Sequence, residues 1–188
     1  MKIVKPVAVA ALICAAGVSL AARAQQSERE GFWTTPVIQG YGRIHFLPNA
    51  GFRPQADHTY QIVFALTKGG MKPAEVNPAL DRVARTVNLY VAAGVPLSRL
   101  KFVAIVYGPA TPLALDDAHY RTAYGVPNPN LPLIAELKKA GVTVAVCAQA
   151  VAEQHFGYDA ITPDVTLALS GLTTVTTLES QGYVLMPL

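Results

Sequence analysis

From residue 60 onward the chain alternates short apolar runs with stretches whose apolar positions recur every three or four residues. Residues 60–67, 101–107, 142–147 and 183–186 are runs of the first kind, and they predict strands buried on both faces. Asn77-Pro78 supplies an N-cap and a first-turn proline. Residues 78–93 then place Leu80, Val83, Ala84, Val87, Tyr90 and Val91 on one face before Gly94 ends the helix. Residues 116–124 predict an amphipathic helix. Residues 131–140 predict another, opened by Asn128-Pro129-Asn130 and ended by Gly141. Residues 148–154 predict a helix that follows its strand with no loop. Residues 163–181 predict a last long helix, weakened by Thr166, Thr173, Thr174, Thr176 and Thr177, so that it depends on packing for support.

Continuous apolar strands separated by helices imply a mostly parallel sheet covered on both faces, a doubly wound α/β domain over residues 59–188 with four core strands. In such sheets ligands bind beyond the carboxyl ends of the strands. Thr67-Lys68-Gly69-Gly70, Tyr107-Gly108-Pro109-Ala110 and Cys147-Ala148-Gln149 all fall at that edge. Residues 25–58 are rich in Gly, Pro and polar residues and read as an N-terminal arm, in which residues 43–47 could supply an edge strand and Phe32 and Trp33 are apolar anchors.

Residues 1–24 change the reading of charge and compartment. Lys2 and Lys5 precede an apolar stretch, residues 7–20, that is short for a membrane span, and Ala22-Arg23-Ala24 has the small-x-small pattern of a cleavage site. The expectation is a signal peptide cleaved after Ala24, a periplasmic protein, and no membrane span after its removal. The net charge of +3 comes from 15 Lys and Arg against 12 Asp and Glu. Loss of Lys2, Lys5 and Arg23 brings 15 down to 12 and the balance to zero, so the basic pI is no argument for a nucleic-acid partner, and none is expected. Charged residues are 14% of the chain and hydrophobic ones 52%. A soluble chain with so little charge is expected to hide surface in a homo-oligomer, with a large monomer core as the alternative.

Candidate chemistry narrows to one side chain. Cys14 leaves with the signal, and Cys147 remains, at the end of a strand that turns directly into a helix. Unpaired N–H groups and the positive end of the macrodipole gather there and favour an anion. Free cysteine is also among the most buried residue types, so a packed structural thiol is the competing reading. Lys68, Gly69, Gly108, Ala148 and Gln149 are the expected substrate contacts, and His119 is a candidate proton partner if the second strand's loop folds over Cys147. A surface histidine is the plainer account of His119. No phosphate loop, GxGxxG, GxSxG or CxxC occurs, and no spacing supports a metal site, so neither a cofactor nor a metal is expected.

The ordered set formed by residues 60–67, Val106-Tyr107-Gly108-Pro109-Ala110, Asn130-Leu131-Pro132-Leu133-Ile134 and residues 141–149 resembles the DsrE/DsrF-like family, and the arm resembles its exported branch. The resemblance implies a flavodoxin-like fold, a homo-oligomer (trimer or hexamer), and sulfur relay, with a cysteine at the position of Cys147 carrying a persulfide to or from a sulfur donor or acceptor protein. Where cytoplasmic carriers of the family have an arginine-glycine pair, this chain has His155-Phe156-Gly157. Two functions stay open: a thiol-based sulfur carrier, and a non-enzymatic oligomeric module that presents the strand-edge cleft to a small ligand or a protein.

Overall fold

A computed structural model describes residues 31–70 and 72–188. The expected signal peptide, residues 1–24, and the start of the arm lie outside the described residues. The chain divides into two compact units, residues 1–34 and 35–188. Of the first only residues 31–34 are described, with the rings of Phe32 and Trp33 edge to face at 5.4 Å.

The second unit is built on five parallel strands: β1 (Tyr60–Leu66), β2 (Leu100–Val106), β3 (Thr143–Cys147), β4 (Thr166–Ala168) and β5 (Val184–Pro187). Their order is β4-β3-β2-β1-β5, with Tyr60 opposite Leu100, Val103 opposite Thr143 and Ile62 opposite Val184. Side chains alternate across the sheet. Ile62, Phe64, Leu66, Phe102, Ala104, Val106, Val144 and Val146 form the larger core. Helices α1 (Pro78–Ala92) and α3 (Leu131–Lys139) cover it with Leu80, Val83, Val87, Leu133, Ile134 and Leu137. Val63, Ile105 and Ala145 face the other way, against Val175 and Leu178 of α5 (Gly171–Ser180). Two short helices, α2 (Asp117–Tyr124) and α4 (Ala148–Glu153), follow β2 and β3 in the chain. The fold is the expected doubly wound α/β type.

The caps behave as their residues require. The Asn77 side chain accepts from the N–H groups of Ala79 and Leu80. Gly94 and Gly141, just past α1 and α3, hold positive φ. One expectation fails. The helix anticipated over residues 163–181 begins only at Gly171, and residues 166–168 form β4, a fifth strand paired to β3 with Cys147 opposite Ala168. Three residues are too few to carry a period of their own, and only the free edge of β3 makes them a strand. Ser170 then caps α5 through the N–H of Leu172.

From Thr35 the arm belongs to the same unit as the sheet. Ile38 and Ile44 are buried, and Asn88 of α1 holds the chain that runs past it. Its Oδ1 accepts from the N–H groups of Val37 and Ile38, at 3.1 and 2.9 Å, and its Nδ2 donates to the carbonyls of Tyr41 and Gly42. Asp81 accepts from Gly42 N–H at 2.7 Å. Gly42 has φ +58, and a Cβ there would fall on the backbone of Arg85, so the chain approaches α1 this closely only as glycine. Residues 43–47 form no strand of the sheet; Ile44 packs inward instead.

Candidate functional site

Two structures form at the carboxyl edge of the sheet. The first is the junction of β3 and α4. Cys147 is the last residue of β3 and the N-cap of α4, with φ −70° and ψ 116°. Its sulfur accepts the N–H of Ala150 at 3.4 Å, a geometry in which the side chain turns along the strand axis onto the first turn of the helix. The residue is 5% exposed. Ala168 lies beside it in register on β4, and Tyr107 follows Val106, the residue whose partner is Val146. The ring of Tyr107 packs where α5 begins: a Cβ on Gly171 would meet it at 2.8 Å. Gln149 reaches from α4 to the carbonyl of Leu169, at 3.2 Å, and ties the two helix starts together.

The second is a cleft of about 110 Å³ beyond β1 and β2, lined by Gly69, Lys72, Asn77, Pro109, Tyr124 and Asn130 among others. Its floor is a buried asparagine chain. Asn128 Oδ1 accepts from Asn130 N–H and Nδ2, Asn130 Oδ1 accepts from Asn77 N–H, and Asn77 Nδ2 donates to the carbonyl of Lys68. The starts of α1 and α3 therefore meet at this point. Tyr120 and Tyr124 stand on the far wall with their rings tilted by 43° and centroids 4.7 Å apart, and Tyr120 donates to the carbonyl of Pro73. Burial pushes both phenols above their ordinary range, so they stay neutral.

The expected contacts distribute unevenly between these places. Gly69 lines the cleft, where a Cβ would meet the carbonyl oxygen of Pro109 at 2.9 Å. Lys68 contributes a backbone carbonyl to the asparagine chain. Gly108, at φ +56, offers its carbonyl to Gln154 Nε2 and Thr111 Oγ1, at 2.7 and 2.8 Å. Ala148 and Gln149 stand with Cys147 at the start of α4. No hydrogen bond joins His119 to Cys147; its Nδ1 lies 2.9 Å from both carboxylate oxygens of Asp116. Among the described residues no group of three or more His, Cys, Asp and Glu could hold a metal ion. Lys72, Asn77, Tyr120, Tyr124 and Asn130 of the cleft were not anticipated. The two helix-opening signals, Asn77-Pro78 and Asn128-Pro129-Asn130, were the trace of it, since both open helices that follow strands ending at the same edge.

Asp116 is the N-cap of α2, accepting from His119 N–H at 2.8 Å. That bond, then the His119 ring, holds its carboxyl below the usual carboxylate range. A lowered value stabilises the fold above the unfolded pKa, about 3.9, and the benefit is lost as pH falls through the folded value. Asp116→Ala is expected to cost about 1 kcal/mol at neutral pH. The difference from the wild type should close in acid, as read from urea midpoints across pH. A difference that persists unchanged to low pH would refute the assignment.

The family model for the DsrE/DsrF-like family matches residues 61–188. No curated protein matches the chain. Among solved structures, the chain is similar to a protein of unknown function from Methanobacterium thermoautotrophicum. The identity is 15%, the match covers 69% of this chain and 99% of that one, and the TM-score is 0.48.

Proposed function

The chain belongs to the DsrE/DsrF-like family, and from that premise we propose that it is a thiol-based sulfur carrier that holds a sulfane sulfur on Cys147 as a persulfide. The carrying observation is the place of the sulfur: the end of β3, against the amides that open α4, with the Ala150 N–H directed at it. In the reaction the Cys147 thiolate attacks the outer sulfur of a donor R–S–S⁻. The donor's S–S bond breaks, R–S⁻ leaves with the electron pair, and Cys147 gains the sulfur as –S–S⁻. The terminal sulfur is oxidised to the same extent before and after, so the step is a transfer with no external oxidant. The same attack by an acceptor thiolate returns Cys147.

Incubation with inorganic polysulfide followed by intact mass tests this. A small donor suits a thiol that is only 5% exposed. The expected result is a gain of one sulfur atom, removed by a reducing thiol. A wild type that gains none sinks the carrier reading. One observation favours the second reading, a non-enzymatic module: the cleft beyond β1 and β2 is lined by residues that do not include Cys147. An unreactive thiol would leave that cleft as the functional surface.

The proposal extends to assembly and compartment. Leu169 and Leu172, 73% and 76% exposed, stand at the start of the threonine-rich α5, beside the edge strand β4. They mark the surface through which the exported, periplasmic protein would form a homo-oligomer, a trimer or hexamer. No helix of the described residues is long and apolar enough to cross a membrane. Light scattering at micromolar concentration should show the oligomer, and Leu172→Glu should shift it to monomer. A monomeric wild type would remove the assembly from the account.

A further inference from the structure

We propose that Tyr107 and Gly171 set the size of the sulfur donor that Cys147 accepts and restrict it to inorganic polysulfide; this rests on the carrier reading above. The sheet puts Tyr107 beside the thiol. The register of β2 on β3 ends with Val106 opposite Val146, and Tyr107 stays in line, its N–H donating to the Leu66 carbonyl at 3.0 Å, so the next neighbours are Tyr107 and Cys147. Ile105 and Ala145 share the face that α5 covers. Side chains alternate along a strand, so Tyr107 and Cys147, two positions on, leave their strands toward that same face. Tyr107 and Ala168 both pack against the cluster there, and Ala168 is the residue opposite Cys147 on β4. The thiol therefore stands between a phenol ring and an alanine.

The start of α5 closes over this place. A Cβ on Gly171 would lie 2.9 Å from Cγ and 3.3 Å from Cβ of Tyr107, the fixed end of that side chain, so the helix start seats on the ring only because residue 171 has none of its own. Gln149, two residues after the thiol, donates to the Leu169 carbonyl at 3.2 Å and holds the segment down. Cys147 is left 5% exposed. Packing of this density leaves few gaps wider than a water molecule. Attack needs the donor's outer sulfur against the Cys147 sulfur with the leaving group in line behind it. A polysulfide chain is one sulfur atom wide along its length, whereas a peptide persulfide carries a Cβ and a backbone directly behind its inner sulfur. With the inorganic donor the thiolate takes the outer sulfur of H–S–S⁻, the S–S bond breaks, and HS⁻ leaves with the electron pair.

The test sets inorganic polysulfide against glutathione persulfide, and iodoacetamide against a bulky fluorescein maleimide, on the full chain. Each rate is read by mass on the peptide that carries Cys147 and scaled to the rate with free cysteine. The wild type is expected to react with the small member of each pair and to resist the bulky one. Gly171→Ala, which lifts the start of α5 off the ring, and Tyr107→Ala, which removes the ring, should each speed the bulky reactions by about tenfold or more. Tyr107→Phe, which keeps the ring, should keep the wild-type selectivity. Low urea separates an opened passage from a loosened fold, because reaction through unfolding climbs with denaturant and reaction through a passage does not. A wild type that loads equally from both donors overturns this proposal and leaves the carrier reading standing. So do alanine variants that leave the bulky rates unchanged, or that raise them only in proportion to urea. A wild type that takes sulfur from neither donor overturns the carrier reading, and the polysulfide assignment with it.

Discussion

Cys147→Ser is expected to abolish persulfide loading and leave stability within about 0.5 kcal/mol of the wild type. The first half follows from chemistry: an alcohol neither attacks a sulfane sulfur at neutral pH nor holds one. The second follows from the cap. Cys147 closes the start of α4 by accepting the Ala150 N–H, and serine is among the best residues at that position. Against this gain stands the cost of a hydroxyl in a nearly closed site, and the Ala150 N–H offsets most of it. Cys147→Ala, which loses the cap, should cost about 1 kcal/mol more than serine. Intact mass and thermal melts on all three proteins decide. A serine variant that melts far below the wild type, together with a wild type that takes up no sulfur, would make Cys147 a packed structural residue.

Asn88→Ala should lower stability by about 3–5 kcal/mol, close to 10 °C or more in Tm for a chain of this size. Asn88 is wholly buried, and every hydrogen-bonding direction of its amide is used. Alanine leaves two N–H groups and two carbonyls of residues 37–42 without this partner, the Ile38 N–H and the Gly42 carbonyl in buried positions, and each unsatisfied buried group costs about 1–3 kcal/mol, with the lost Val37 and Tyr41 bonds adding to the sum. The loss should be local at first. Hydrogen exchange is expected to rise through residues 37–44 before it rises in β1 and β2, because Ile38 and Ile44 depend on the same anchorage. A variant melting within 2 °C of wild type would show that the arm is held by its apolar contacts alone.

Much of the chain's organisation was determined by local sequence. The runs now seen as β1, β2 and β3 are apolar on both faces once past Gln61, Lys101 and Thr143 near their starts, as in a sheet covered on both sides. By contrast β5, expected to be buried too, is an edge strand left largely exposed, because no further strand among the described residues pairs beyond it. Asn77-Pro78 and Gly94 bracket α1 because a cap, a fixed φ and a left-handed residue act within a few positions of themselves. The position of Cys147 was legible for the same reason: a strand ending directly in helix-forming residues has one place for its last side chain to go. Other features were decided by partners distant in sequence. Residues 166–168 are a strand because β3 presents a free edge; alone, their composition suits the start of a helix as well. Asn88 reads in the sequence as one polar residue in a helix, and its four bonds run to residues 46 to 51 positions away. The cleft likewise exists only because Asn77 is brought by a parallel crossover to the same edge as Tyr124 and Asn130, about fifty residues further along the chain. Local signals state where an element begins and ends. Pairing, burial and the meeting of loops depend on which elements become neighbours, and that is settled by the packing of the whole sheet.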